Sequence, residues 1–261
     1  MDNEIFEQIA GRLRTAQNNR IPIPPIRDEI AQEGVEGAYR IQTFNTILYQ
    51  AQGRRICGRK IGLTAKSVQQ QLGVSEPDYG VLFSDMALTD DEVVAVGSVL
   101  QPKVEAEVAF VLARDLDMLE PNSADVIRAT DFVLPAIEIV GSRIEKWNID
   151  LLDTIADNAS SGLFVLGGQP TKLVGLDLRV CGMVMEQKGI EVSSGAGAAC
   201  LGNPINAVVW LARKMSQLGT PLKAGDVVMS GALGPMVQAN PGDAFEARIG
   251  GLGSVRVGFA L

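Results

Sequence analysis

Residues 103–110, KVEAEVAF, alternate strictly: Val104, Ala106, Val108 and Phe110 form one set, and Lys103, Glu105 and Glu107 form the other. A period of two belongs to a β-strand, whose successive side chains point to opposite faces. The stretch 102–113 is therefore predicted to be a strand with one apolar and one charged face. A second run, FVLPAIEIV at 132–140, is bounded by Asp131 and Gly141 and reads as a buried strand. Twenty-eight glycines and twelve prolines among 261 residues imply frequent tight turns, which favours a β-rich body. That length allows one large domain, or one domain with a small appendage, and is ample for a sizeable core.

Helical spacing is confined to a few places. Phe6, Ile9 and Leu13 predict an amphipathic helix over 4–16, and Ile41, Phe44 and Leu48 predict another over 35–50. IPIPPI at 21–26 cannot be helical and reads as an extended linker. The first 55 residues thus form a helical region, and 56–261 the β-rich remainder. Arg59 to Leu63 is strand-like; Thr64 is expected to cap a helix that runs to Leu72 and stops at Gly73. PDYG at 77–80 is turn chemistry. Ser123 is the expected cap of a helix through Arg128. Asn203-Pro204 starts a helix carrying Val208, Leu211, Met215 and Leu218, which Gly219 ends. From Asp226 onward short strand-like runs alternate with GALGP, NPGD and GGLG.

The net charge is −8, and the basic residues cluster only at GRR (53–55) and GRK (58–60), which argues against nucleic acid as a partner. Cys57, Cys181 and Cys200 have neither metal nor disulfide spacing, so reduced thiols and a cytoplasmic setting are expected. The acidic start MDNEIFEQIA lacks a signal-type apolar run, and no stretch approaches transmembrane length. No Walker pattern or dinucleotide fingerprint is present. The chain has no histidine at all. A Ser-His-Asp triad, a Cys-His pair and a histidine metal site are therefore excluded within it, and acid–base work falls to carboxylates, Lys, Tyr or metal-bound water.

Glu105 and Glu107 lie two apart on one strand face, with Cα atoms roughly 6–7 Å apart, close enough to share a divalent cation; the plainer alternative is a solvated sheet face. Glu138 interrupts an otherwise apolar run, and a buried ionised carboxylate needs a cation, a donor cluster or a proton. A buried ion pair with Arg143 would also answer that need. Together the three glutamates form an all-oxygen donor set suited to Mg2+ or Mn2+ and not to Zn2+ or Cu2+. An α-keto acid could fill two open positions with its carboxylate and keto oxygen. Lys60 is either surface charge or a group that orients an anionic substrate. Asp78 is either a turn residue or a general base, and Tyr79 beside it reads as packing. ADNASSG at 156–162 is either a polar turn or a set of donors for a substrate carboxylate. GALGP offers backbone N–H groups near a ligand, or only a turn.

The ordered stretches GRKIGLTAKSVQQQLGVSEPDYGVLFSDM, QPKVEAEVAFVLARDL, LPAIEIVGSRI, DTIADNASSG and GALGPMV resemble the hydratase/decarboxylase branch of the fumarylacetoacetate hydrolase superfamily. The likeness covers nearly the whole chain and is weakest over the first 50 residues. It implies an α+β fold, with a small N-terminal helical region followed by a β-rich roll of mixed sheets. It also implies Mg2+ or Mn2+ on Glu105, Glu107 and Glu138, catalytic roles for Lys60 and Asp78, and substrate contacts from Asn158, Ser160 and Ser161. The implied activity is metal-dependent hydration of a 2-hydroxydienoate in meta-cleavage catabolism of aromatic compounds, by a homo-oligomer able to pair with 4-oxalocrotonate decarboxylase. That decarboxylase is the nearest rival activity. The resemblance implies an apolar residue there at the place of Asp78, and decarboxylation needs no base for water, so Asp78 tilts the reading to hydration. The missing histidine weighs against the superfamily's hydrolases, whose namesake activates water with a Glu-His pair. A non-catalytic binding subunit would not need the Glu105, Glu107, Glu138, Lys60 and Asp78 set intact.

Overall fold

The computed structural model describes residues 3–261, apart from the side chains of Ser67, Gln71 and Leu72. Met1 and Asp2, at the head of the acidic start, lie outside the described residues. Helix α1 (Asn3–Asn19) buries Phe6, Ile9, Ala10, Leu13 and Ala16, the stripe that three- and four-residue spacing puts on one face. Helix α2 (Gly34–Ala51) packs against it. Between them the proline-rich linker is extended: Ile23 bridges Ile144 in parallel, and Ile26 is fully buried.

The remainder is built from β1 (Ile56–Gly62), α3 (Lys66–Leu72), β2 (Asp78–Phe83), β3 (Ala87–Leu88), β4 (Glu92–Val94), β5 (Lys103–Leu112), α4 (Ser123–Ala129), β6 (Thr130–Val140), α5 (Leu151–Ala156) and β7 (Leu163–Leu166), followed by β8 (Gly182–Gln187), β9 (Ile190–Ala196), α6 (Pro204–Gln217), β10 (Val227–Ala232), β11 (Val237–Gln238), β12 (Ala244–Ile249) and β13 (Gly253–Phe259). The larger sheet has the order β2-β1-β10-β5-β6-β7-β3, with β11 also pairing β5; the smaller has the order β4-β13-β12-β8-β9. Both mix parallel and antiparallel pairs, since β1 runs parallel to β10 and β4 parallel to β13. This is the expected α+β architecture. Among the described residues, no helix is long and apolar enough to cross a membrane.

The two faces of the larger sheet meet different partners. Val104, Ala106, Val108 and Phe110 of β5 enter the main core with α6 and the smaller sheet. The opposite face carries Ala109, Leu134, Ala136, Phe164 and Met229 into a separate apolar cluster. A third cluster joins α1, α2 and the linker to Ile144, Ile155 and Ala156. The charged face of β5 is thus not a solvated surface: Glu107 is 1% exposed.

Several local expectations are corrected. Ala65, not Thr64, is the N-cap of α3, while Gly73 ends the helix in the left-handed region at φ 68°. Asn122, not Ser123, caps α4, because its side chain accepts from the Ala124 and Asp125 N–H groups. PDYG is not a free turn: Asp78 already opens β2, paired with Gly62. Asn203 caps α6 with Pro204 in its first turn, as expected.

Candidate active site

Strand register gathers the site. Glu105 of β5 lies directly opposite Glu138 of β6, and Glu107 opposite Ala136. Lys60 of β1 pairs with Met229 of β10, which pairs with Ala109 of β5. Asp78 pairs with Gly62, two residues beyond Lys60. Directly opposed residues share a face, and residues two apart on a strand do too. Lys60, Asp78, Glu105, Glu107 and Glu138 therefore all project from the same side of the sheet. Like charges placed directly opposite are destabilising, so the Glu105–Glu138 pair marks a place where something else compensates.

One carboxylate oxygen from each of Glu105, Glu107 and Glu138 lies within 4.8 Å of the others. Glu107 Oε2 accepts a 2.8 Å hydrogen bond from the Gly231 N–H. Its Oε1 and both Glu138 oxygens are buried without a directed hydrogen bond. Lys60 Nζ sits 3.2 Å from Glu138 Oε1, an ion pair held by charge and not by hydrogen-bond geometry. The alternative pairing of Glu138 with Arg143 does not occur: Arg143 bonds Asp157 and the Ser161 carbonyl instead.

These carboxylates titrate far from their ordinary range. Burial, then the Glu138 charge, pushes Glu105 up to about 7. Burial pushes Glu107 well above the carboxylate range, reinforced by Glu138 and Glu105. Glu138 is also raised by burial, with Lys60 opposing. For Lys60, burial alone would lower the pKa, but Glu138, Asp78, Glu105 and Glu107 outweigh it and keep the ammonium charged. Three clustered carboxylates, two of them with orphaned oxygens, and one lysine carry a surplus of negative charge, which only protons or a cation can relieve. A divalent ion fits this donor set. The ligands are hard oxygens, no histidine or cysteine belongs to the cluster, and the orphaned oxygens converge.

Asp78 is 1% exposed, and its Oδ1 has no hydrogen-bond partner. Burial raises its pKa, while Lys60 and hydrogen bonding by Thr154 and the Gly62 backbone pull it back. A side chain at Gly62 would crowd it, with an ideal Cβ 3.2 Å from Asp78 Cγ. Gly231 is a second enabling glycine. Its φ of +106° turns the N–H toward Glu107, and an added Cβ would stand 2.9 Å from Thr64 Cβ. The irregular register between Met229 and Ala232 makes this turn possible.

The ADNASSG stretch divides. Asn158, Ala159 and Ser160 all have positive φ (57°, 52° and 55°), a strained run that folds the chain back over β2. The Asn158 amide is committed to both backbone groups of Val81. Ser160 Oγ lies 3.1 Å from Thr154 Oγ1. Ser161 Oγ is buried and unpartnered. It stands 2.8 Å from where Gly80 would carry a Cβ, and Gly80 pairs with Lys60, so this hydroxyl shares the Lys60 face. Gly231 opens the GALGP stretch, whose N–H groups the sequence offered near a ligand, and it is the one that meets Glu107; of the remaining parts of the site, Gly62 and Thr154 were not named from the sequence. A glycine flanking a charged residue was the only available signal for the first, and for Thr154 there was none.

The chain also resembles known proteins over most of its length. The family model described as "Fumarylacetoacetate (FAA) hydrolase C-terminal" matches residues 58–260. The chain is 56% identical over 253 residues to the 2-keto-4-pentenoate hydratase of Paraburkholderia xenovorans, covering 97% of this chain and 94% of that one. It is 57% identical over 251 residues to the TodF product hydratase of Pseudomonas putida, covering 96% and 94%. The structure of 4-oxalocrotonate decarboxylase from Pseudomonas putida G7, complexed with magnesium and adipate, superposes with a TM-score of 0.95 at 35% identity, covering 99% of this chain and 98% of that one. With the ordered motifs, the family model and these relatives in agreement, the chain belongs to the fumarylacetoacetate hydrolase family.

Proposed function

We propose that this chain is a divalent-metal-dependent hydratase that converts 2-hydroxypenta-2,4-dienoate and water into 4-hydroxy-2-oxopentanoate, a step of meta-cleavage catabolism of aromatic compounds. The observation that carries the reading is the Glu105–Glu107–Glu138 cluster, two of its carboxylates buried and Glu105 half-buried, with Lys60 and Asp78 on the same sheet face, in a chain more than half identical to relatives named as hydratases of this substrate class.

In this reading Glu105, Glu107 and Glu138 would hold Mg2+ or Mn2+, which would supply Lewis acidity to the 2-oxo acid portion of the substrate. The decarboxylase structure, bound to magnesium and 35% identical, supports that choice of ion. Lys60, kept charged by its carboxylate neighbours, faces the negative charge that collects at the C2 oxygen as the enol proton is moved to C5. Asp78 takes a proton from water as its oxygen bonds to C4, and protonation at C3 completes the addition. Its unpartnered Oδ1 and raised pKa suit a group that alternately holds and releases a proton. Ser161 and Ser160 face the substrate carboxylate as hydroxyl donors. Asn158 supports them by holding the loop to β2.

Residues 1–55 act as a helical cover, and 56–261 as the catalytic body. The enzyme works in the cytoplasm as a homo-oligomer, with 4-oxalocrotonate decarboxylase as a candidate companion. Incubating the purified protein with freshly generated 2-hydroxypenta-2,4-dienoate and Mg2+ or Mn2+, and identifying products by NMR, tests the reading. Metal-dependent 4-hydroxy-2-oxopentanoate is expected. Only spontaneous ketonisation, with carbon dioxide released from 4-oxalocrotonate, would replace hydration by decarboxylation.

A further inference from the structure

Strand β2 carries Asp78 and is one of the two edge strands of the larger sheet, with β1 on its inner side. Asp78, Gly80 and Leu82 pair inward with Gly62, Lys60 and Gly58. An outer edge normally leaves its backbone groups to water and frays readily. Here three side chains occupy that edge. The Tyr79 N–H donates to Tyr39 Oη at 3.3 Å. Gln42 Nε2 donates to the Tyr79 carbonyl at 3.0 Å and also to the Ile155 carbonyl at 3.0 Å. Asn158 completes the edge at Val81, accepting from its N–H at 2.8 Å and donating to its carbonyl at 3.0 Å. Tyr39 and Gln42 lie one turn apart on α2, so the same helix face reaches both backbone groups of Tyr79.

The contacts are built, not incidental. Gln42 is 4% exposed, and its amide joins β2 to α5, where Ile155 adjoins Thr154. The Tyr39 ring stacks on the Tyr79 ring at 4.5 Å between centroids and 16° between planes. Asp78 has an unpartnered carboxylate oxygen, so the backbone on either side of it must supply much of its placement. Catalytic groups tolerate displacements of only about 0.5 Å. An edge strand left to fray would not meet that limit.

We propose that Tyr39, Gln42 and Asn158 are positioning residues for Asp78, acting as a side-chain substitute for the missing neighbour of β2. Through it the N-terminal helical region becomes part of the catalytic apparatus. The proposal rests on the reading of Asp78 as the group that takes the water proton. Edge protection alone would change stability without touching turnover, and that difference is measurable.

The test compares Tyr39→Phe, which keeps the ring and removes the acceptor, with Gln42→Met, which keeps the length and removes the amide. Asp78→Asn is measured in parallel, and Glu36→Gln, exposed on the same helix, is the control. kcat and KM are measured at saturating Mg2+, and Mg2+ affinity by calorimetry. Misplacement by about 1 Å costs up to about 100-fold in rate. The expected result is a kcat loss of about 10- to 100-fold in the α2 variants, with KM and Mg2+ affinity within about threefold of wild type. Wild-type kcat in Tyr39→Phe and Gln42→Met beside an inactive Asp78→Asn would overturn the proposal alone. Parallel loss of Mg2+ affinity and kcat would overturn it too, by showing general collapse of the site. Wild-type turnover in Asp78→Asn would overturn the reading of Asp78 and the proposal with it. If Gln42→Met does not fold, Tyr39→Phe decides.

Discussion

Substitution of Gly231 by alanine perturbs the carboxylate cluster without touching a carboxylate. The Gly231 N–H reaches Glu107 Oε2 at 2.8 Å because the backbone there adopts φ +106°, a conformation that alanine adopts only under strain. The new Cβ would also lie 2.9 Å from Thr64 Cβ and closer still to the rest of that side chain. The strain of such a backbone is about 1–3 kcal/mol, so the loop should relax by turning the N–H away. A hydrogen bond to a charged group is worth about 1.5–3 kcal/mol, which corresponds to a loss of about 10- to 100-fold in Mg2+ affinity if Glu107 is a ligand. Calorimetric titration of the metal-stripped protein with Mg2+ reads this directly, with circular dichroism confirming the fold. Thr64→Ala in the same chain should recover part of the loss by removing most of the collision. Unchanged Mg2+ affinity in a folded Gly231→Ala protein would refute the claim that this N–H orients Glu107 for an ion.

The pH dependence of metal binding follows from the same cluster. Glu105 sits at about 7 without an ion, and Glu107 and Glu138 are also raised, so Mg2+ must displace protons at and below neutrality. Calorimetry near pH 6.5 in buffers of different ionisation enthalpy should show proton release on binding, and affinity should fall as pH drops below about 7. For stability the sign is opposite. Carboxylates with raised folded-state pKa values bind more protons folded than unfolded, so their contribution is full below the unfolded pKa of about 4.3 and is lost as pH rises through the folded values, which for Glu105 means toward about 7. The Tm of the metal-free protein should therefore fall over that window, provided other titrations are matched by a Glu105→Gln reference, and Mg2+ should restore it mostly at the upper end. Arg143→Met leaves the buried Asp157 carboxylate without its guanidinium, which costs about 3–5 kcal/mol; urea unfolding should show it, and a change below about 1 kcal/mol would mean that the pair is dispensable.

The carboxylate cluster was legible because its signals were local. Period-two alternation put Glu105 and Glu107 on one strand face, and Glu138 broke an apolar run that otherwise had no polar residue. Lys60 and Asp78 were weaker from pattern alone, since lysines are ordinarily exposed and Asp before Tyr-Gly reads as a turn; the resemblance singled them out. What could not be read was long-range. Gly231 meets Glu107 across 124 residues, and Tyr39 and Gln42 meet Tyr79 across 40 and 37. No periodicity records which strand stands at a sheet's edge or which side chains will occupy it. Arg143 lies five residues from Glu138 and was a natural partner for it. The backbone leaving β6 instead sends Arg143 to Asp157, whose carboxylate also accepts the Arg143 N–H at 2.9 Å. The cap assignments at Thr64 and Ser123 each missed by one residue: the chain stays extended through Ala65, which makes no side-chain cap, and at α4 the preceding Asn122 accepts from the first N–H groups.

The most direct test of the central claim is Mn2+ binding to wild type and to Glu138→Gln, followed by electron paramagnetic resonance. The carboxylate-cluster account requires one tight Mn2+ per chain in the wild-type protein, and its loss in Glu138→Gln with the fold intact, because removing one of three converging charges leaves too little to compete with water. Equal Mn2+ binding in both proteins, with turnover preserved in the variant, would contradict it.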